Sequence, residues 1–435
     1  MSQLHSRTAD LAVSGALLGL LAVVAVWNAF TYPYFGGFDA REHVAYAYEI
    51  MEGRLPTGGA SYTPPGFYAL AALAIRLGER LGMDTPEQLA QLLNALCVVV
   101  SGVLVLVLGR LLLPERPLAR WSALAFFACS PVVLKTGAMF HPQPLAMLLS
   151  LLALTATAWM VARRDYRLRL WAALALSLAG AQLVRSVSIW VVGVVLVTLV
   201  AAAVAQREYR QRIVTALAAS ALAMVLLPLP WYLHNQSTGG NAVFGRGMSV
   251  LSLDSPWPAA FYVDPGLPDV ITHPQRAELG VGLVPILYTE TWGDFFGIWS
   301  WGTARPELTS AVDRRLALQS IVGLPLTALA LAGWFAFAAL TASRWREAPE
   351  RIILALAPLV GLIAVVYYVT RSFRPDGDTV KALFLLPAVP FWALSFGFAA
   401  DVLIERSRRV GFVVLATLAL CLLVSLSFST YAFVS

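Results

Sequence analysis

Charged side chains are scarce in this sequence. Only 13% of the 435 residues are charged, whereas 59% are hydrophobic, and soluble domains carry roughly 25% charged residues. The mean hydropathy of +0.71 agrees with this deficit. Because a soluble fold of this length cannot bury so much apolar surface, the composition predicts an integral membrane protein whose apolar helices face lipid.

Cysteine is rarer still, with Cys97, Cys129 and Cys421 all inside apolar runs. This placement argues against a disulfide framework. The net charge of +6 comes from short basic clusters between apolar runs, which are typical of cytoplasmic loops and not of a nucleic-acid surface. The first apolar run, 11–30, is longer than a signal-peptide core and predicts a retained helix.

Apolar runs long enough to cross a bilayer recur along the whole chain. About 20 apolar residues span the hydrocarbon core as a helix. The pattern predicts an all-α polytopic protein of about 11 transmembrane helices, forming a single module over 1–435 without a separate soluble domain. The runs begin near Leu11, Ala90, Leu118, Pro142, Leu168, Val187, Ile213, Leu316, Arg351, Ala382 and Val410.

Basic residues cluster in alternate connections, which predicts a cytoplasmic N-terminus and leaves two long outer segments, 31–88 and 234–315. The second segment contains Tyr288, Trp292, Trp299 and Trp301, which suggest either an aromatic belt or a platform for sugar or lipid. The five basic connections are 114–120, 163–169, 206–212, 343–351 and 405–409.

The most informative outer stretch, 35–56, follows the first predicted span. Asp39 can begin a helix there, and its spacing to Glu42, His43 and Tyr46 would place all four on one helix face. Such a face can deprotonate a hydroxyl, position a sugar or hold a divalent cation through Asp39, Glu42 and His43. A solvated amphipathic helix is the alternative. We also expect partial shielding from water to raise the basicity of Asp39.

Cationic side chains crowd a later outer turn, where Arg371, Arg374 and Lys381 suggest a phosphate site. Pairing of the arginines with Asp376 and Asp378 is the alternative.

Other outer candidates are more isolated along the chain. His141 follows Lys135 in a short turn, and Lys135 is expected to snorkel at a helix end. Arg185 lies between two apolar runs, and Arg246 lies in the second outer segment.

Five motifs follow one another along the chain. They are Asp39 with His43, a Pro-Pro-aromatic element at 64–68, His-Pro-x-Pro at 141–144, Trp-Tyr-x-x-Asn at 231–235 and Gly-Asp-x-x-Lys-Ala at 377–382. In this order they resemble the polytopic GT-C glycosyltransferases, specifically the bacterial family-39-like relatives of protein mannosyltransferases and aminoarabinose transferases.

The resemblance implies a cell-envelope enzyme of the bacterial plasma membrane that takes sugar from a polyprenyl-phosphate donor. An acceptor hydroxyl of a glycan, lipid or protein would attack with inversion on the extracytoplasmic face. Asp39 would be the general base. Glu42, His43 and Tyr46 would position the acceptor or a divalent cation, and Arg371, Arg374 and Lys381 would bind the donor phosphate.

Two other classes of function fit the composition. A transporter or flippase for a lipid-linked or amphipathic solute is the main alternative, and a different membrane enzyme or a non-catalytic assembly subunit is the third. A transporter places its polar residues near the bilayer midplane. The candidates here cluster at one face, which favours an interfacial enzyme.

Overall fold

The computed structural model describes residues 2–237, 257–276, 278–299, 310–372, 374 and 376–431. Within these ranges the regular secondary structure is helical, as predicted. Apolar runs form helices because a helix pairs its own backbone N–H and C=O groups, and lipid offers these groups no other hydrogen-bond partners.

The described residues form eighteen α-helices. They are α1 (Ser2–Thr31), α2 (Ala40–Met51), α3 (Gly66–Arg80), α4 (Gln88–Leu112), α5 (Pro117–Cys129), α6 (Pro131–Ala138), α7 (Gln143–Arg163), α8 (Leu168–Val184), α9 (Trp190–Ala205), α10 (Arg210–Leu226), α11 (Leu229–Ser237), α12 (Ala259–Val263), α13 (Asp269–Thr272), α14 (Leu283–Trp292), α15 (Ser310–Arg344), α16 (Ile352–Arg371), α17 (Val389–Arg406) and α18 (Arg408–Ser429). Short 3₁₀ segments cover Gly59–Tyr62, Ser186–Ile189, Arg207–Tyr209, Pro349–Arg351 and Ala382–Ala388.

Nine helices in the described ranges are long and apolar enough to cross a membrane, and the chain is an integral membrane protein. A tenth span results if α5 and α6, bent by 50° at their junction, are counted together. The apolar helix α8 is shorter, at 17 residues. Each of the eleven predicted runs thus corresponds to a helical segment, but only nine or ten of these segments in the described ranges are long and apolar enough to cross a membrane.

The most enclosed span is α17, which packs between α5 and α15. Two glycines permit the close approach. A Cβ on Gly397 would lie 2.0 Å from the carbonyl oxygen of Ala119 in α5, and one on Gly333 in α15 would lie 2.0 Å from that of Ser395. Small residues at such crossings let membrane helices contact along their backbones.

The basic connections gather at one end of the bundle, which we call the basic end. Asp10 of α1 pairs with Arg110 of α4 at 3.1 Å. Arg116 before α5 pairs with Asp401 near the end of α17. Arg164 pairs with Glu208 at 3.1 Å, so the next two basic connections also meet. Since α1 runs away from this end, α2 and the turns it contacts lie at the opposite end.

A glycine-to-alanine pair tests the packing of α17. Gly397→Ala inserts a methyl group into the backbone of α5, an overpacking that costs about 1–3 kcal/mol. Gly193→Ala in α9 has no atom within 4 Å of the new Cβ and gains the same helix propensity, about 1 kcal/mol. We expect Gly397→Ala alone to lower the thermal unfolding midpoint in detergent. Equal midpoints for the two variants would contradict the packing.

Candidate functional site

Asp39 lies between α1 and α2, at the end of the bundle opposite the basic end. Its backbone is left-handed (φ 52°, ψ 23°) and it occupies the predicted N-cap position of α2, but its side chain makes no capping hydrogen bond. The Lys381 ammonium instead donates to Oδ2 at 3.0 Å. The Asp39 side chain is 44% exposed and that of Lys381 is 11% exposed, so the carboxylate remains accessible while the cation is enclosed.

The turn before α2 fixes the direction of Asp39. Gly37 has φ +99°, and a Cβ there would lie 2.9 Å from Met139 Cγ, so only glycine fits this position. The next residue, Phe38, is buried. Its ring packs edge-on against Phe296 at 5.2 Å and contacts the Lys381 ammonium 4.9 Å from the ring centroid. Phe38 therefore supports both partners of the ion pair.

Lys381 is held in place by its chain neighbours. It is extended (φ −112°, ψ 121°) and directly precedes the 3₁₀ segment Ala382–Ala388. Val380 and Ala382 on either side are fully buried, and in extended backbone adjacent side chains point to opposite faces. Burial of the two neighbours thus directs the ammonium towards Asp39.

The environment of Asp39 has two opposing effects on its pKa. Burial raises this pKa. The charge and hydrogen bond of Lys381, aided by the charge of Arg185, lower it by more than burial raises it, so the pKa lies below the ordinary value of 3.8. Shielding acts on the pKa of Asp39 in the expected direction, but Lys381 outweighs it, so the expected net gain in basicity is not found. The carboxylate is ionised at neutral pH.

A buried aromatic layer lies on the inner face of α2. The Tyr68 hydroxyl is 2.7 Å from Nδ1 of His43, and Tyr46 stacks on Tyr68 with ring centroids 3.9 Å apart. His43 also contacts the edge of the His141 ring at 4.8 Å. Burial, together with the nearby charge of Arg185, lowers the pKa of His43 to about 3, and burial likewise lowers that of His141. Both imidazoles are neutral at physiological pH.

Arg185, which the sequence left isolated, joins this layer. Its Nε donates to Oε1 of Gln143 at 3.2 Å, and its guanidinium lies 3.4 Å from the Thr63 hydroxyl and over the Phe384 ring. Sequence analysis assigned no role to Gln143, Thr63 or Phe384. The positions of Thr63 just before Pro64 and of Gln143 just after His-Pro are the local signals that could have drawn attention to them.

The predicted single face of α2 is divided in the structure. His43 and Tyr46 are buried, whereas Glu42 is exposed. The idea that Asp39, Glu42 and His43 jointly hold a cation is therefore not supported, because Asp39 faces Lys381 and His43 faces Tyr68. Over the described ranges no group of three or more His, Cys, Asp or Glu residues has a metal-binding arrangement.

The cationic turn is only partly assembled around Asp39. Arg371 ends α16 and is partly buried, and Arg374 is exposed. Asp376 and Asp378, which the alternative interpretation paired with these arginines, instead contact Arg276 of the second outer segment at 2.8 and 3.3 Å. Lys381 is thus the member of the predicted cationic set that directly contacts Asp39.

Lys135 does not snorkel, contrary to expectation. It is buried in α6, where its ammonium donates to Glu290 of α14 at 2.9 Å and to the backbone carbonyl of Gly293. Burial raises the pKa of Glu290, and the charge of Lys135 opposes that rise. The pair fixes α14 to the bent span.

The aromatic cluster of the second outer segment packs inside the protein. Trp292 is buried and donates to the Thr327 hydroxyl at 2.7 Å. Trp299 stacks on Tyr32, and Tyr288 donates to the carbonyl of Ser320. The burial of Trp292 and Trp299 disfavours both the belt and the ligand platform. The candidates Arg246 and Trp301 lie outside the described residues.

The arrangement combines an accessible, ionised carboxylate with an enclosed ammonium and a nearby guanidinium. The carboxylate can accept a proton from a bound hydroxyl, and the two cations can hold an anionic group beside it. The neutral imidazoles behind them are suited to hydrogen bonding and packing.

Comparison with known proteins gives a family match for part of the chain. Residues 63–231 match the model for dolichyl-phosphate-mannose-protein mannosyltransferases. This stretch contains His141 and Arg185 but neither Asp39 nor Lys381. No curated protein sequence matches the chain.

Solved structures resemble the chain over nearly its full length. AglB, an oligosaccharyltransferase from Archaeoglobus fulgidus with an inhibitory peptide and a dolichol-phosphate, is 13% identical, with a TM-score of 0.60 over 98% of this chain and 56% of that one. An A. fulgidus oligosaccharyltransferase with Zn and sulfate is 16% identical, with a TM-score of 0.58 over 96% and 53%. ArnT from Cupriavidus metallidurans bound to undecaprenyl phosphate is 16% identical, with a TM-score of 0.51 over 93% and 63%.

These neighbours confirm the GT-C fold implied by the sequence resemblance. The chain spans little more than half the length of the archaeal oligosaccharyltransferases it resembles.

Replacing Lys381 tests the electrostatics of the site. In Lys381→Met the largest lowering influence is removed, whereas burial and the smaller influence of Arg185 remain, so the pKa of Asp39 should rise. Infrared titration of the carboxylate band, taken as the difference from the same background carrying Asp39→Asn, measures this shift. Arg374→Met removes an exposed cation of the same outer turn and should leave the titration almost unchanged. An unshifted pKa in Lys381→Met would contradict the assigned ion pair.

Proposed function

We propose that this protein is a membrane glycosyltransferase that transfers a sugar from a polyprenyl-phosphate donor to an acceptor hydroxyl. The observation that carries the proposal is the Asp39–Lys381 ion pair at 3.0 Å. It places an accessible carboxylate against an enclosed cation at one end of a GT-C fold. A hydroxyl that displaces a phosphate from a sugar carbon needs a proton acceptor and a cation close together.

The proposal places the reaction on the extracytoplasmic face of a plasma membrane. The basic end carries Arg116, Arg164 and Arg207, and Asp39 lies at the other end. Basic connections are retained on the cytoplasmic side, so the distribution of arginine supports an extracytoplasmic site and a cytoplasmic N-terminus.

For the donor, we assign phosphate binding to Lys381 and Arg185. Arg371 and Arg374 would add positive charge on the same side of the site. An enclosed ammonium and a hydrogen-bonded guanidinium are preorganised, so they stabilise developing negative charge without rearrangement. The structural neighbours were solved with dolichol-phosphate and with undecaprenyl phosphate, which supports a polyprenyl-phosphate donor for this chain.

In the proposed step, the acceptor oxygen forms a bond to the anomeric carbon as the bond from that carbon to the phosphate oxygen breaks. The electron pair leaves with the lipid phosphate, and the hydroxyl proton passes to a carboxylate oxygen of Asp39. Direct displacement inverts the anomeric centre. The hydroxyl becomes acidic only as the new bond forms, so a carboxylate that is ionised beforehand can accept its proton.

Lys381 links the two substrates in this scheme. In the free protein its charge holds the pKa of Asp39 low. A donor phosphate would share that charge, and burial would then dominate and raise the pKa of Asp39. Donor binding would thus increase the basicity of Asp39 when the acceptor is to be deprotonated.

The acceptor would approach from the exposed side of Asp39, where Glu42 is also accessible. His43 and Tyr46 are buried behind the carboxylate, so we assign them to its support and not to acceptor contact. A glycan, lipid or protein hydroxyl would satisfy this chemistry.

Asp39→Asn tests the class of reaction. The amide keeps the shape of the side chain but cannot accept the proton, so turnover should fall by about 10²–10⁴-fold. The measurement is release of free lipid phosphate by purified protein across a panel of polyprenyl-phosphate sugars, with and without EDTA. Donor binding, measured separately, should persist. Undiminished turnover in Asp39→Asn would refute the assigned base.

Arg374→Ala tests the donor side. Loss of an exposed phosphate contact should raise the donor KM by about tenfold and leave the acceptor KM almost unchanged. Arg54→Ala, which removes an exposed arginine paired with Glu52 in the same outer region, serves as the control. Equal losses for donor and acceptor would count against a phosphate role for Arg374.

A further inference from the structure

A groove runs between α9 and α10 and reaches the basic end of the bundle. Its volume is about 370 Å³. Leu199 and Ile213 form a buried floor, whereas Val200, Val204 and Val214 are about half exposed. Because α9 and α10 belong to membrane-spanning segments, the open side of the groove faces the hydrocarbon region.

Two arginines, Arg207 and Arg210, line the same groove at its polar mouth. Both side chains are exposed. The neighbouring acid, Glu208, pairs with Arg164 at 3.1 Å. Across the residues that the structure describes, neither Arg207 nor Arg210 forms an ion pair with an acidic side chain.

The turn that carries these arginines is held firmly in place. The Gln206 side chain is buried, donates to the carbonyl of Val161 at 3.0 Å and accepts from the Tyr166 hydroxyl at 2.8 Å. The Tyr209 ring packs against that of Tyr166. The two cations are thus mounted on fixed backbone at the rim of the groove.

The positive charge at the start of α10 favours binding of an anion. The first turn of α10 contains Arg210 and Arg212 and no acidic residue. A helix N-terminus already carries partial positive charge, so cations there are unfavourable unless an anion is nearby. Two arginines above a lipid-facing apolar groove match the two parts of a phospholipid, an anionic headgroup and an acyl chain.

We propose that the α9–α10 groove binds one anionic membrane phospholipid. Its phosphate lies between Arg207 and Arg210, and one acyl chain lies along the exposed valines over Leu199 and Ile213. The site is at the opposite end of the bundle from Asp39 and is independent of the proposed transferase reaction.

The test measures lipid binding to the purified full-length protein. Delipidated protein in detergent is titrated with dioleoyl-phosphatidylglycerol or with dioleoyl-phosphatidylcholine, and bound lipid is counted by native mass spectrometry. We expect preferential binding of phosphatidylglycerol. The Arg207→Gln/Arg210→Gln double variant should weaken that binding by about 10- to 30-fold, since each basic residue at a membrane surface contributes about 1 kcal/mol.

Arg212→Gln provides the matched control, because Arg212 is on the same helix as Arg210 and is also exposed but does not line the groove. Its binding should change less than threefold. Equal losses in Arg212→Gln and the double variant would mean that the lipid is attracted by diffuse surface charge and not by a defined site, which would overturn the proposal. Unchanged binding in the double variant would also refute it.

A second variant tests the groove itself. Ala203→Trp places a large ring in the groove while keeping both arginines. It should weaken phosphatidylglycerol binding and leave the weak attraction of soluble glycerol phosphate unchanged. Full retention of the lipid in Ala203→Trp would show that the arginines act without the groove and would overturn the assigned acyl-chain position.

Discussion

The ion pair between Asp39 and Lys381 is the contact on which the candidate site depends. It joins residues 342 positions apart, so it forms only if the exit of α1 and the entry to α17 meet at the same end of the bundle. Three local features hold the two side chains together: the left-handed turn at Gly37, the Phe38 ring and the buried neighbours of Lys381. The pair also sets protonation, because the ammonium outweighs burial and keeps the carboxylate ionised.

Behind the pair lies a polar layer that is buried but hydrogen-bonded. The Tyr68 hydroxyl is hydrogen-bonded to Nδ1 of His43, and Arg185 donates to Gln143. Burying such groups is costly unless they are paired, so each partner restricts where the next can lie. The Lys135–Glu290 pair does the same for the second outer segment, since removing one partner of a buried pair leaves an uncompensated charge, a loss of about 3–5 kcal/mol. These contacts restrain the segments at the Asp39 end of the bundle.

The two ends of the bundle differ in how their charges are used. At the basic end most described contacts are exposed or partly exposed ion pairs such as Arg164 with Glu208, which contribute little to stability. At the Asp39 end Lys381 is enclosed and pairs with Asp39, and the charge of the partly buried Arg185 lowers the pKa of the same carboxylate. The α9–α10 groove is an exception at the basic end, because its arginines lie above apolar surface without acidic partners among the described contacts.

The sequence by itself determined the features that depend on local composition. Apolar run length identified the eleven helical segments, and the positions of the arginines predicted their common end. Turn chemistry placed Asp39 at the start of α2, and the resemblance identified the GT-C fold. The sequence also predicted Lys381 and Arg185 as candidates. What only the tertiary structure decided are the long-range contacts, such as Lys381 with Asp39, Arg185 with Gln143 and Lys135 with Glu290. Helical spacing could not separate exposed Glu42 from buried His43, and residue type could not show that Trp292 packs inside, because both depend on which distant helix covers each face.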